Sequence, residues 1–363
     1  MPGFIHYRPI MKKSKVNLHG AARKYAFLHF GIYLLVKSKN FLQKTCRKRR
    51  INGIIGRKIQ NTEAAKMIVF DGSRKLYKAN LHVHTTLSDG RKPLEEVRSI
   101  YRDNGYDFLA ISDHRKLTTQ TMVDGSLISV QSIELDFYLI GQVIHIVGVG
   151  VDDSITELLP KITHPQRAID GIKEAGGIAI LAHPAWSLNT PEVINGLRGL
   201  DAVEIYNTVS GMPFNRDRAD SSNILDIAFT QGNLLNVVAS DDAHFYVGDE
   251  CKSYIMAAAK EKTVDALKEA IRNGDFYATQ GPHFEKIELE GNVLKVWSSP
   301  VKCISFHTNL PWGGPTATQT GDGLTYAEYT VNMNYPLPPK FIRVLMVDEN
   351  GKRAWSNPVE LKR

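Results

Sequence analysis

The chain has 363 residues, 43% of them hydrophobic, with 45 Lys and Arg against 38 Asp and Glu and a formal charge of +7, which is more chain than one typical core accommodates. Sixteen of those basic residues and a single acid, Glu63, lie in residues 1–66, whereas residues 67–363 hold 29 basic and 37 acidic residues. The basicity therefore belongs to the N-terminal stretch and does not argue that the rest binds nucleic acid. Three cysteines, an odd number, exclude a fully paired disulfide framework and fit a reducing cytoplasm.

Residues 1–66 read as a basic extension, disordered or a mis-assigned start. The apolar run Tyr25–Val36, flanked by Arg23-Lys24 and Lys37, is too short for a membrane-spanning helix, which needs about 20 residues. A signal-peptide core is one reading, but the basic cluster Lys44–Arg50 follows it instead of a cleavage site. An interfacial segment is a second. A third is that translation begins at Met67, from which Ile68-Val69-Phe70 leads into the first strand. A membrane contact is open only to this extension.

Residues 76–90 close an extended run with His82-Val83-His84 and turn at Ser88-Asp89-Gly90. On a strand, residues i and i+2 face the same side, so the two imidazoles stand together as the first two ligands of a metal would. Apolar runs that follow also lead into His, Asp or Glu. Phe108–Ile111 leads to Ser112-Asp113-His114, and Val130–Ile133 to Glu134. Gln142–Val149 encloses His145, Gly177–Ala182 leads to His183-Pro184, and Leu234–Ala239 to Ser240-Asp241-Asp242-Ala243-His244. Val203–Asn207 is a further strand. Helical spacing predicts helices over 93–101, 167–175, 224–229 and 264–271. Strand followed by helix, repeated, predicts βα units around a parallel sheet, with chemistry at the carboxyl ends of the strands. Charges gathered there are costly to bury unless paired or metal-bound.

These motifs, in this order over residues 76–282, resemble the PHP (polymerase and histidinol phosphatase) superfamily of metal-dependent phosphoesterases. The resemblance implies a distorted (β/α)7 TIM-like barrel, here residues 67–283, holding two or three divalent ions. Carried over by position, the ligands are His82, His84, Asp89, His114, Glu134, His145, His183, Asp242 and His244. For three ions it implies one held by His82, His84, Glu134 and Asp242, a second by Glu134, His145 and His183, and a third by Asp89, His114 and His244. The imidazole and carboxylate donors suit Zn, Mn or Fe. Gln131-Ser132 stand before Glu134 where relatives commonly carry Gly, which puts the local turn at variance. A metal-bridged hydroxide is the expected nucleophile, with no side-chain base required. Asp113 and Asp241, each beside a ligand, are candidates to orient an imidazole, or to act as a helix cap or ion-pair partner. Trp186 and Asn207 follow strand ends and are candidates to line the substrate mouth, with simple packing the competing role for Trp186; Arg115, Arg216 and Arg218 are candidates for phosphate contacts, with a solvated surface the competing role.

From residue 284 the pattern changes. Phe284–Trp297 alternates apolar and polar residues about Gly291-Asn292, a hairpin signature. Residues 303–308, 325–333 and 341–347 are further strands, and Asp348–Gly351 a turn. Residues 284–363 are read as a small antiparallel β-sandwich, with His283 and His307 as packing or surface residues. Ala354-Trp355-Ser356-Asn357-Pro358 resembles the ending usual in the carbaryl-hydrolase-like branch of the PHP proteins.

The expected function is metal-dependent hydrolysis of a small-molecule phosphate mono- or diester in the cytoplasm. A carbamate or carboxyl ester cleaved at the same centre is the alternative. Nucleic-acid or membrane binding through the basic extension is a further one.

Overall fold

β-Branched and aromatic runs form the strands, and amphipathic runs the helices that cover them. The computed structural model describes residues 66–117, 120–139, 141–232 and 234–361. The extension, including its apolar run Tyr25–Val36, lies outside the described residues up to position 65. In chain order the elements are β1 (Lys66–Asp71), β2 (Tyr77–Val83), α1 (Leu94–Asp103), β3 (Phe108–Ile111), β4 (Met122–Asp124), β5 (Leu127–Leu139) and β6 (Gln142–Val149). They continue with α2 (Ser154–Leu158), α3 (Pro165–Glu174), β7 (Ile178–Leu181), α4 (Pro184–Ser187), α5 (Pro191–Gly196), β8 (Ala202–Asn207), α6 (Ser222–Thr230) and β9 (Asn236–Ser240). After β10 (Tyr254–Ala257), α7 (Val264–Asn273) and β11 (Phe276–Thr279), the chain is all strand. These last strands are β12 (Phe284–Glu290), β13 (Val293–Thr308), β14 (Thr318–Thr330), β15 (Phe341–Val347), β16 (Arg353–Trp355) and β17 (Val359–Glu360).

The helices start and stop for local reasons. In α7 the Thr263 side chain accepts from Ala266 N, and Gly274 ends the helix in the left-handed region at φ 73°. In α1, Val97, Arg98 and Tyr101 are the buried face, with Glu95 and Glu96 in the first turn and Arg102 in the last, the signs that the helix dipole favours. Among the described residues no helix is long and apolar enough to cross a membrane.

Strands β2, β3 and β5 pair in parallel, as do β7, β8 and β9. They are buried on both faces. Ile178 and Ile180 of β7 join a core with Ala79, Phe108, Val130, Ala202 and Val238, while Ala179 and Leu181 join one with Ile169 and Ile172 of α3 and Leu225 of α6. That is why these strands read as continuous apolar runs.

Two features depart from a regular ring of βα units. β6 runs antiparallel to both β5 and β7, because the β5–β6 connection is too short for a crossover. Nor does a ladder close the sheet. Among the described residues the segment after β9 meets β2 through the isolated parallel bridge Val83–Ala243, with His84 N donating to Ala243 O at 3.0 Å and Asp242 N to His82 O at 2.8 Å. β5 also passes straight through Gln131, Ser132 and Glu134 without a turn, so Glu134 lies mid-strand.

The C-terminal strands are antiparallel, and β12 and β13 meet at Gly291-Asn292, where Gly291 takes φ 60°. They form one folded sheet, continuous with the rest. The long β13 pairs with β12 and β14, and its second half also with β15. β1 adds to β12, and β16 joins β15 to β11. The boundary expected at 283/284 is thus crossed twice, and Thr62–Arg363 is one compact unit. The Ala354–Pro358 run makes the second crossing. Trp355 is fully buried with its ring 5.3 Å from Tyr206, and Asn357 Oδ1 accepts from Val237 N at 2.8 Å.

His307 of β13 faces Asp226 and Arg343, with Asp220 also near. Burial and the Arg343 charge push its imidazole down to about 4. As pH falls from 6.5 toward 4 the unfolded chain therefore gains a proton that the folded chain does not, and stability falls over that window. With the side chain one-third exposed, the loss is on the order of 1–2 kcal/mol. Denaturant unfolding at pH 7 and pH 4.5 should show this difference shrinking in His307→Phe; an unchanged pH dependence would remove His307 as its source.

Candidate metal centre

His82, next to last in β2, and His84, just past its end, point the same way. Their Nε2 atoms lie 3.2 Å apart. Both face Asp242 Oδ1, at 3.1 and 3.0 Å, and Glu134 Oε2, at 3.3 and 3.2 Å. All four side chains are buried. Glu134 collects more: His114 Nδ1 lies 3.3 Å from Oε2, and His145 Nδ1 and His183 Nε2 lie 2.8 and 3.5 Å from Oε1. His145 reaches it because residue 145 pairs with Asp136 across the β5–β6 hairpin, a diagonal neighbour of Glu134 on the same face.

A second group lies toward solvent. His244 Nε2 is 3.5 Å from Asp89 Oδ1, and His114 Nε2 3.8 Å from Asp89 Oδ2. The His244 ring stacks on His84 with centroids 4.0 Å apart. His114 and His244 are half-buried and Asp89 is exposed. The turn that carries Asp89 presses on His84: a Cβ on Gly90 would sit 2.5 Å from the His84 carbonyl, so only glycine fits there.

The structure brings all nine expected ligands into one cluster, with a sharing that differs from the one the resemblance implies. Sets of donors able to meet at one ion are His82, His84, Glu134 and Asp242; His84, Asp89, His114 and His244; and His114, Glu134 and His145. The first is as expected. His84 also faces the outer set, because its Nδ1 lies 3.6 Å from Asp89 Oδ1. His114 takes the place expected for His183 in the last set, through its contact with Glu134.

The donors fit a cation. Asp242 Oδ1 is buried without a hydrogen-bond partner, and two imidazole nitrogens converge on it. Burial disfavours charge on His82, but Asp242, Glu134 and Glu204 outweigh that and hold its pKa well above the usual imidazole value. Against burial, Asp242 brings His244 up to about 9. Glu134 and Asp242 are themselves lowered, the surrounding histidines overcoming the cost of burial. Positive charge is favoured where these groups meet, and divalent ions would supply it in place of protons. His183 and Asp242 sit in the left-handed region, at φ 32° and 53°, a strained backbone of the kind that concentrates at functional sites.

Asp113 and Asp241 serve loops. Asp113 accepts from Thr85 N, Thr85 Oγ1, Ser88 N and Ser88 Oγ at 2.5–3.2 Å, fixing the turn before Asp89. Asp241 accepts from Asn80, Tyr101 and Thr208 side chains and from the backbone N–H groups of Cys251, Lys252 and Ser253. Burial still pushes its carboxyl up to about 6. None of these partners is an imidazole. Asn207 is not at the mouth: it is fully buried and donates to Glu204 Oε2 at 2.7 Å and Asp242 Oδ2 at 3.2 Å. Trp186 does lie beside the cluster, its ring 5.0 Å from His183 and 6.2 Å from His145. Arg115 is held by Asp136 at 2.9 Å next to His114, and Arg216 is exposed.

One buried carboxylate went unassigned in the sequence. Glu204, in the middle of β8, is 1% exposed and lies 2.9 Å from His82 Nδ1. Its flanks Val203 and Ile205 are core residues. An acid between two apolar residues on a doubly buried strand is the one signal that could have marked it.

No family model and no curated protein matches the chain. Solved structures similar to it include a two-domain protein from Bacteroides vulgatus containing a predicted PHP-like metal-dependent phosphoesterase, 13% identical, with a TM-score of 0.47 over 83% of this chain and 98% of that one. Another is an amidohydrolase from Chromobacterium violaceum with bound sulfate and no metal, 15% identical, with a TM-score of 0.36 over 47% of this chain and 89% of that one. At these values the likeness carries no functional weight.

Proposed function

We propose that the chain is a metal-dependent hydrolase of the PHP type acting on small-molecule phosphate mono- or diesters, with β2, β3 and β5–β9 as its distorted barrel. Two or three ions of Zn, Mn or Fe are its cofactors. One observation carries the reading: His82 Nε2, His84 Nε2, Asp242 Oδ1 and Glu134 Oε2 converge within 3.0–3.3 Å of one another's partners in a buried site. Divalent ions held there supply Lewis-acid charge and an activated water.

The chain's own residues set the approach. Asp89, His114 and His244 form the open side, so the ester enters across Asp89. Cationic side chains stand near it and favour an anionic substrate. Arg115 lies next to His114, and the Arg91 guanidinium sits 4.5 Å above the Phe245 ring, beside His244. Trp186 walls the opposite flank. The Ala354–Pro358 run, which pointed to carbamates, is used in docking Trp355 and Asn357 and says nothing about the ester.

The test is elemental analysis of the purified protein with p-nitrophenyl phosphate and bis-p-nitrophenyl phosphate turnover before and after chelation. Two to three ions per chain are expected, with turnover lost on chelation and restored by one of the three metals. Bound metal with carbamate or carboxyl-ester turnover alone would replace the phosphoester reading. Absence of metal would overturn the proposal.

A further inference from the structure

Glu204 touches no solvent and belongs to none of the donor sets that could hold an ion. Its four hydrogen bonds account for its role. Oε1 lies 2.9 Å from His82 Nδ1 and accepts from Ser240 Oγ at 2.6 Å. Oε2 accepts from His183 N at 2.8 Å and from Asn207 Nδ2 at 2.7 Å. An ionised carboxylate offers about four lone-pair sites, so this one is fully engaged and has none to give a metal.

Each bond leads to a candidate ligand. A carboxylate only accepts, so the contact to Nδ1 places the His82 proton there and leaves the Nε2 lone pair facing Asp242 and Glu134. The bond from His183 N holds that residue where its backbone is left-handed, at φ 32° and ψ 57°. That conformation aims its Nε2 at Glu134 Oε1, 3.5 Å away. Asn207, fixed by Glu204, passes its second bond to Asp242 Oδ2 at 3.2 Å. One carboxylate on β8 thus ties together His82 of β2, His183 after β7 and Asp242 after β9; among the described residues β8 pairs with β7 and β9 but not with β2.

The geometry points to Glu204 as a positioning residue of the metal centre, selecting the His82 nitrogen that binds the ion and registering His183 and Asp242 around it. This rests on the metal-dependent reading above. It predicts that Glu204→Gln weakens zinc binding by about 10–100-fold, because the amide cannot accept on both sides and presents an N–H to one of its present donors. Zinc affinity is measured by competition with a chromophoric chelator in the full chain, with circular dichroism as the check on folding. Asn207→Ala, which removes the link to Asp242 and one of the four bonds to Glu204 but leaves those to His82 and His183, should weaken binding less than Glu204→Gln does.

A second readout needs no variant. In the zinc-loaded protein, long-range ¹H–¹⁵N spectra should show His82 protonated at Nδ1 and metal-shifted at Nε2. A folded Glu204→Gln that binds zinc as tightly as the unaltered protein overturns the inference, as does a metal-shifted Nδ1 on His82, which also decides the matter should Glu204→Gln fail to fold. If the unaltered chain binds no zinc, manganese or iron, the metal-dependent reading falls with it. If it binds metal and only the Glu204 results fail, that reading stands and this one does not.

Discussion

His82→Ala is expected to lose metal and turnover together, with phosphoester hydrolysis falling by roughly three orders of magnitude or more, since the chemistry draws on charge that the site no longer holds. His82 Nε2 meets Asp242 Oδ1, Glu134 Oε2 and His84 Nε2 within 3.3 Å. Deleting the imidazole leaves three buried carboxylates, those of Glu134, Glu204 and Asp242, short of a cationic or donor partner. Breaking one partner out of a buried charge cluster costs about 3–5 kcal/mol, so thermal stability should drop as well. Two controls separate folding from function. Asp242→Asn keeps the shape and removes a ligand charge, and should lose metal at a smaller cost in stability. Asp89→Asn alters an exposed group at the open side and should lose less metal than either. Metal content and turnover are read on the same samples. Full turnover in a metal-poor His82→Ala protein would sink the metal-dependent mechanism.

The parts of this site legible in the sequence were those that follow a local rule. His82-x-His84 obeys the two-residue period of a strand, and Asp242-Ala243-His244 repeats the spacing just beyond β9. His114, His183 and Asp242 stand where parallel strands end. Glu134 and His145 were legible as residue types but not as positions: both sit within a hairpin, and nothing local announces that β6 turns back. Glu204 was passed over because three of its four bonds come from residues on other segments, His82, His183 and Ser240, and no spacing encodes that. Asn207 looked like a mouth residue for the same reason; its partners Glu204 and Asp242 draw it inward. The long-range pairing was silent too. β1 joins β12 across more than two hundred residues, so a strand that reads as the start of one domain completes the sheet of another. For Asp113 and Asp241 adjacency to a ligand left two roles open, and their bonds to Thr85 and Ser88 and to the 251–253 backbone are long-range contacts that no local spacing encodes.

Arg343→Ala is expected to destabilise the fold by about 3–5 kcal/mol while sparing the metal centre. Arg343 stands on β15 with no solvent exposure, and its Nε and Nη2 meet Asp226 Oδ1 and Oδ2 of α6 at 2.7 and 2.6 Å. This two-pronged pair joins the C-terminal sheet to a helix of the α/β part. Truncating the arginine leaves Asp226 facing a buried cavity with only His307, 3.8 Å away, and that imidazole resists protonation because it is buried. Asp226→Ala should cost as much by the opposite route, stranding a guanidinium whose Nη1 already lacks a partner. Replacing both, as Arg343→Met with Asp226→Leu, should recover most of the loss, because the desolvation of two charges is then avoided. Thermal and denaturant unfolding measure all three, with a midpoint shift of roughly 6–15 °C for each single variant. Metal content should be unchanged in every one, since no ligand is held by this pair. A single variant within 0.5 kcal/mol of the unaltered protein would mean that Trp355 and Asn357 carry the docking unaided. The apolar and hydrogen-bonded crossing at Ala354–Pro358 would then be what keeps the C-terminal sheet against β8 and β9.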